Sequence, residues 1–300
     1  MSKLSIIIAN EVKTDISAKS FWIATFIVPL LMVAFGLFVG FMMDDTSFMN
    51  VTNGMNAGPE PDDLTPLKAL GMMLGIFPVI FLMMYGAMIF NKVKTEKCNR
   101  IVEIIATCVD GRTMMLAKII AVGIVGIIQL ALWFLLIIFM AVFILLTLGI
   151  GIPWDIVFNR DLWLAFMWAF LYFMGGYVFY AALYASIGAM TDKNNENQSY
   201  VTILTLALLA SFYIGEYAVD NASGAFVTVC SFIPFTASTL LTVISASQEA
   251  PLWLSLTGLA ALYVFALISV SMAGKIYTSS LLLKGKKLSP RDIITFLKSK

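Results

Sequence analysis

Two stretches of this chain, residues 21–43 and 119–154, contain no Asp, Glu, Lys or Arg. About 20 apolar residues in helical form cross a hydrocarbon layer roughly 30 Å thick. In that layer a backbone must satisfy its own hydrogen bonds, which leaves helices and closed barrels as spanning structures. Of all residues, 60% are hydrophobic and 12% charged, whereas soluble domains carry about a quarter charged. A water-soluble fold is excluded.

The apolar runs predict an all-α integral membrane protein with six transmembrane helices in one domain, at residues 21–43, 69–91, 119–154, 162–190, 199–218 and 251–274. The third run exceeds one crossing but is too short for two crossings and a turn, so it reads as one tilted span. Pro29 and Pro78 fall inside the first and second spans and predict kinks there. Gly36 with Gly40, and Gly71 with Gly75, have the spacing that lets helix backbones approach closely. Residues 44–67, rich in Asp, Asn, Gly and Pro, read as an exposed loop. In residues 1–19, Leu4, Ile7, Ile8, Val12 and Ile16 share a helical face, and Lys3, Glu11, Asp15 and Lys19 lie mostly elsewhere. This predicts an amphipathic helix on the membrane surface, with a plain soluble lead-in as the alternative.

Residues 221–248 are uncharged but diluted with Ser, Thr and Gly, with Pro234 near the centre. They could form a seventh crossing or a re-entrant segment between the fifth and sixth helices. Lys and Arg collect on the cytoplasmic side of short loops. With six spans, all of the 19 basic residues except Lys68 and Arg160 share one side. A seventh crossing would move the basic tail, residues 275–300 with Lys284, Lys286, Lys287 and Arg291, away from the rest. The re-entrant reading follows, with both termini cytoplasmic in a multi-pass protein of the cell membrane. Such backbone is tolerated at depth when protein buries it or water lines it.

The balance of 19 basic and 18 acidic residues argues against nucleic-acid binding. The sequence contains no histidine, which removes Ser-His and Cys-His hydrolysis, and Cys98, Cys108 and Cys230 have no metal-site spacing. No catalytic and no metal-ligating residues are assigned. An intramembrane enzyme would need paired carboxylates or a nucleophile with its base at membrane depth, and the acidic residues lie in loops and at span ends.

Four local patterns carry a family resemblance. They are Asn10-Glu11-Val12-Lys13 with Ala18-Lys19-Ser20-Phe21 and Pro29; Glu96-Lys97-Cys98-Asn99-Arg100-Ile101-Val102-Glu103-Ile104-Ile105 ending at Leu116-Ala117-Lys118; Ser231-Phe232-Ile233-Pro234-Phe235; and Gly274-Lys275-Ile276-Tyr277 through Gly285-Lys286-Lys287. With these the chain resembles the membrane subunits of ABC-2 type permeases, in particular a sodium-exporter-like branch, the NatB-like one, of bacterial type. The patterns are similar to that family's elbow helix, cytoplasmic hairpin, outer re-entrant turn and tail. One departure is that only residues 44–67 stand where relatives of the sodium exporter carry a large outer domain.

The resemblance implies half of a transporter pore that pairs with a second copy of itself or a homologous permease and with separate ABC ATPase subunits, for export. The chain carries no GxxxxGK[ST] phosphate loop, so no cofactor is assigned to it, and ATP and Mg are expected on the partner. The expected coupling surface is residues 92–113. There Glu96, Arg100 and Glu103 have the spacing of an alternating-charge helical face, with Ile101, Ile104 and Ile105 on an apolar one. Lys97, Asp110 and Arg112 complete this candidate, and the turn at Asp192 and Lys193 is a second contact. A solvated helix that docks nothing is the alternative. Gln129, Glu216, Phe232 and Pro234 are the expected substrate-pathway residues; the lack of a charge at mid-span points away from a bare ion. A membrane sensor or immunity protein that binds a peptide or lipid without moving it is the alternative function.

Overall fold

The computed structural model describes residues 3–42, 66–98, 111–147, 158–191, 198–222, 224–246 and 250–282. Every regular element among them is an α-helix. Helices α1 (Lys3–Ser17) and α2 (Lys19–Met42) meet at a 60° bend. There follow α3 (Pro66–Cys98), α4 (Gly111–Thr147), α5 (Arg160–Met190) and α6 (Gln198–Asp220). Two short helices, α7 (Ala225–Phe232) and α8 (Pro234–Ala246), precede α9 (Leu252–Leu282). Helices α3, α4, α5, α6 and α9 are each long and apolar enough to cross a membrane, and the bent α1–α2 pair brings the number to six. The chain is a multi-pass membrane protein.

Pro29 and Pro78 sit inside the continuous helices α2 and α3. The sharp change of direction comes at Ala18, where Ala18 N donates to Asp15 O and Phe21 N to Ala18 O, each at 3.1 Å. These three-residue closures tighten the chain at the junction of the two helices. Both ends of the stretch read as the coupling surface, residues 92–113, continue the spans: α3 runs on to Cys98 and α4 already begins at Gly111.

Helix α5 is the centre of the bundle, packed against α3, α8 and α9. It comes close to the backbone of α3 at Gly188, where a Cβ would stand 2.8 Å from the Phe90 carbonyl oxygen. Of the small-residue pairs read in the sequence, Gly75 does serve close packing: a Cβ there would meet Val243 Cγ2 of α8 at 2.2 Å. Aromatic rings fill the space between α3, α4 and α5, with Phe81 stacked on Tyr85 and edge-on to Trp133 and Phe173. The outer surface is also apolar: Ile23, Phe26 and Leu30 of α2, Leu135 and Phe139 of α4, and Leu267 of α9 are exposed. A surface of this kind is stable against lipid, not water. Inside the helices, hydroxyls close on their own backbone, as Thr25 does with Phe21 O, Ser186 with Ala182 O and Thr242 with Ser238 O.

The stretch with Pro234 enters and leaves at one end of the bundle. Helix α8 runs antiparallel to α5. Near its start the Phe235 carbonyl accepts from Tyr180 Oη at 2.6 Å; near its end Ser245 lies 2.9 Å from Ser255, whose carbonyl accepts from Tyr172 Oη at 2.7 Å. Tyr172 and Tyr180 are about 12 Å apart along the α5 axis at 1.5 Å per residue. The chain therefore goes inward through α7, breaks at Ile233 and returns through α8 to the end where α9 begins. At about 12 Å and 20 Å long, neither short helix spans alone. Pro234 fits at the first position of α8, where a backbone donor would be unpaired in any case. Residues Ala237 to Ala246 of α8 are all buried, so the segment is protected by protein at depth.

Candidate functional site

The ends of α3, α4, α5 and α9 gather at one end of the bundle together with α1. There α1 lies along α4 and presents Glu11 and Asp15, one turn apart on one face. Lys92 of α3 reaches both, with Nζ 2.7 Å from Glu11 Oε2 and 2.6 Å from Asp15 Oδ2. Lys118 of α4 sits 2.9 Å from the other Glu11 oxygen and also bonds Glu96 Oε1 of α3. Two ammonium groups thus bind three carboxylates across three helices. The Lys118 side chain is 2% exposed and that of Asp15 is 6% exposed.

Charges this well removed from water cost several kcal/mol each in lost hydration, and their attraction offsets that cost only with good geometry. Burial pushes the Asp15 carboxyl up, and Lys92 offsets only part of that. At Glu11 burial acts in the same direction, but Lys118 and Lys92 together outweigh it and hold the carboxyl below its ordinary range. Glu96 keeps one oxygen, Oε2, buried without a hydrogen-bond partner among the described residues. What the network contributes is position: it fixes α1 against the ends of two spans.

Around it, Lys97 Nζ donates to the Ala189 carbonyl at 2.7 Å. That carbonyl belongs to the last turn of α5, where backbone acceptors are orphaned and the helix dipole favours a cation. Arg112, in the first turn of α4, packs over Gly274 of α9, whose Cβ would lie 3.2 Å from Arg112 Cγ. The Tyr277 hydroxyl of α9 reaches Met114 Sδ at 3.4 Å. These contacts tie the helix ends to one another.

Of the residues expected to form a coupling surface, the structure brings Glu96, Lys97 and Arg112 to this end. Arg100, Glu103, Asp110, Asp192 and Lys193 lie outside the described residues. Glu96 has an inward partner in Lys118. The residues that sequence reasoning missed are Glu11, Asp15, Lys92 and Lys118. A signal existed in the spacing of Glu11 and Asp15, which share a helical face off the apolar stripe. The expected pathway residues are not brought together. Gln129 is buried between α4 and α3 beside Tyr85, whereas Glu216 of α6 and Phe232 of α7 are exposed and Pro234 is half-buried. Among the described residues no group of three or more His, Cys, Asp or Glu converges as a metal site.

The family described as "ABC-2 family transporter protein" matches residues 60–275. The uncharacterized protein YhaP of Bacillus subtilis is 28% identical over 240 residues, covering 73% of this chain and 54% of its own length. The uncharacterized protein MJ1024 of Methanocaldococcus jannaschii is 23% identical over 265 residues, covering 85% of this chain and 62% of its own length. The chain thus spans between half and two thirds of the length of these relatives, one bacterial and one archaeal. No solved structure matches.

Proposed function

We propose, from the premise that this chain belongs to the ABC-2 family of transporter proteins, that it is the pore-forming half of an ATP-driven exporter. As a membrane component of such a transporter, it takes its energy from ABC ATPase subunits that hold ATP and Mg, and it pairs with a second copy of itself or a homologous permease. The end that carries Glu11, Lys92, Glu96 and Lys118 is cytoplasmic, on the bias of lysine and arginine to that side. The four local patterns support a sodium-exporter-like branch and a bacterial membrane, while the lack of a mid-span charge favours a cargo other than a bare ion.

One observation carries the reading: the ends of four long helices and of α1 are joined at a single end by largely buried ion pairs and side-chain contacts. An ATPase that pushes on residues 92–113 acts on all of them together. Glu96, Lys97, Arg100, Glu103, Asp110 and Arg112 form the contact, with Asp192 and Lys193 beside it. Cargo passes between the two permease copies, and of the expected pathway residues the exposed Glu216 and Phe232 are the ones accessible to it.

Purification of the tagged chain in lipid from its own host tests this. An ATPase subunit is expected to accompany it and to hydrolyse ATP. Arg100→Glu should lower that turnover or the assembly several-fold while leaving membrane insertion unchanged. Wild-type turnover and assembly in the variant would overturn the coupling assignment. A chain that stays free of any ATPase would be a passive binder of peptide or lipid instead.

A further inference from the structure

Both carboxylates of α1 turn inward, where Glu11 and Asp15 hold Lys92 and Lys118. The lysines around them turn the other way. Lys13 sits about 160° from each of these acids around the α1 axis and is exposed. Lys19, the first residue of α2, is exposed as well. Asp15, four positions before Lys19, is 6% exposed and is occupied by Lys92. Among the described residues neither Lys13 nor Lys19 has a carboxylate partner. The outer side of the α1–α2 bend therefore carries positive charge that the described part of the protein does not neutralise.

Lys19, Trp22 and Phe26 fall within about 60° of one another around the α2 axis, so the lysine heads a stripe of two aromatic side chains. Their rings stack, with centroids 6.2 Å apart. Across from them Leu132, Leu136 and Phe139 of α4 complete a groove of about 200 Å³. Thr25, also in its wall, uses its hydroxyl on Phe21 O at 2.7 Å, so the groove offers only apolar contact. Apolar spaces of about this size stay dry and accept hydrocarbon. Trp22, Phe26 and Phe139 are 45%, 56% and 65% exposed, which leaves the groove open towards lipid. Trp22 and Phe26 lie about 4.5 Å and about 10.5 Å beyond Lys19 along the helix. A cation, an interfacial tryptophan and an apolar slot thus follow one another in the order of a lipid's head and tail.

We infer that this face of the bend binds one net-anionic phospholipid, its phosphate on Lys19 and one acyl chain in the groove between α2 and α4, with Lys13 adding to the field around the head. Charge complementarity selects this class. A free anion would leave the groove empty, and an apolar helix of another chain would leave the lysines without a counterion. A zwitterionic lipid carries a cation beyond its phosphate, which the two ammonium groups oppose. Bound there, the lipid ties the outer side of α1 to the bilayer, while Glu11 and Asp15 tie its inner side to α3 and α4. The site belongs to this chain and does not depend on an ATPase.

The test uses the full chain in vesicles that mix phosphatidylcholine with phosphatidylglycerol, one of the two carrying bromine on its acyl chains. Bromine quenches tryptophan fluorescence on contact, and the Trp22 share is the difference between the chain and its Trp22→Phe variant. Across a series of mixing ratios, the quenching of that share should report phosphatidylglycerol as bound about 25-fold more tightly than phosphatidylcholine, about fivefold for each lysine. Lys19→Gln should lower the preference about fivefold. Lys13→Gln with Lys19→Gln should remove it, with the melting temperature unchanged because neither lysine is paired within the described fold. Equal quenching by the two lipids overturns the proposal, and so does a preference that survives in the double variant. A Trp22 that no brominated lipid quenches would mean that protein covers the groove, and overturns it as well.

Discussion

Lys118→Met is expected to destabilise the protein by about 3–5 kcal/mol, the usual cost of removing one partner from a buried ion pair. Lys118 holds Glu11 and Glu96 at once and is itself 2% exposed. Without it, three carboxylates would share Lys92 alone, and the two oxygens it bonds would lose their charge-assisted partner. Methionine has similar length and apolar character, so the loss is electrostatic and not a cavity. The double variant Lys118→Met with Glu96→Leu should recover part of the deficit, because Glu96 is then no longer an unpaired carboxylate while Glu11 keeps Lys92. Thermal unfolding in detergent micelles, followed through a purification that reports intact fold, measures both. A single variant as stable as the wild type would mean that this cluster is hydrated and does not fix α1.

Gly188→Ala should cost about 1–3 kcal/mol, as overpacking does in a close-packed interior. The new methyl would stand 2.8 Å from the Phe90 carbonyl oxygen and 3.2 Å from Val93 Cβ. A backbone oxygen of α3 cannot turn aside, so α3 and α5 must separate. Gly258→Ala provides the contrast. There the nearest atom, at 2.5 Å, is Leu241 Cδ1, the end of a side chain that can rotate. Alanine also gains about 1 kcal/mol of helix propensity over glycine, so Gly258→Ala should be nearly neutral. Equal melting temperatures for the two variants would show that the α3–α5 crossing is looser than 2.8 Å implies.

The crossing helices themselves were legible in the residues, because a charge-free run of sufficient length leaves a chain no other structure in lipid. The return of the Pro234 stretch was legible too, through the side to which the basic residues fall. The 60° bend at Ala18 falls where the amphipathic helix read in residues 1–19 gives way to the first span, and its three-residue closures form where α1 docks against α4. Lys92, Glu96 and Lys118 read as part of a polar cytoplasmic segment, with Glu96 on an outward face for a coupling partner. Their burial came from α1 folding onto α3 and α4, a contact between residues about eighty to a hundred positions apart, as the pairing of Lys92 and Lys118 with Glu11 requires.

What the sequence determined by itself was the solvent and the number of crossings, since both follow from hydration energies summed along the chain. Which glycines face a backbone, which charges are paired inside and which lysines are left facing outward was decided only in the tertiary structure. The reason is range. Hydrophobicity acts residue by residue, but a hydrogen bond or an ion pair exists only when helices distant in the chain bring its two ends within about 3 Å.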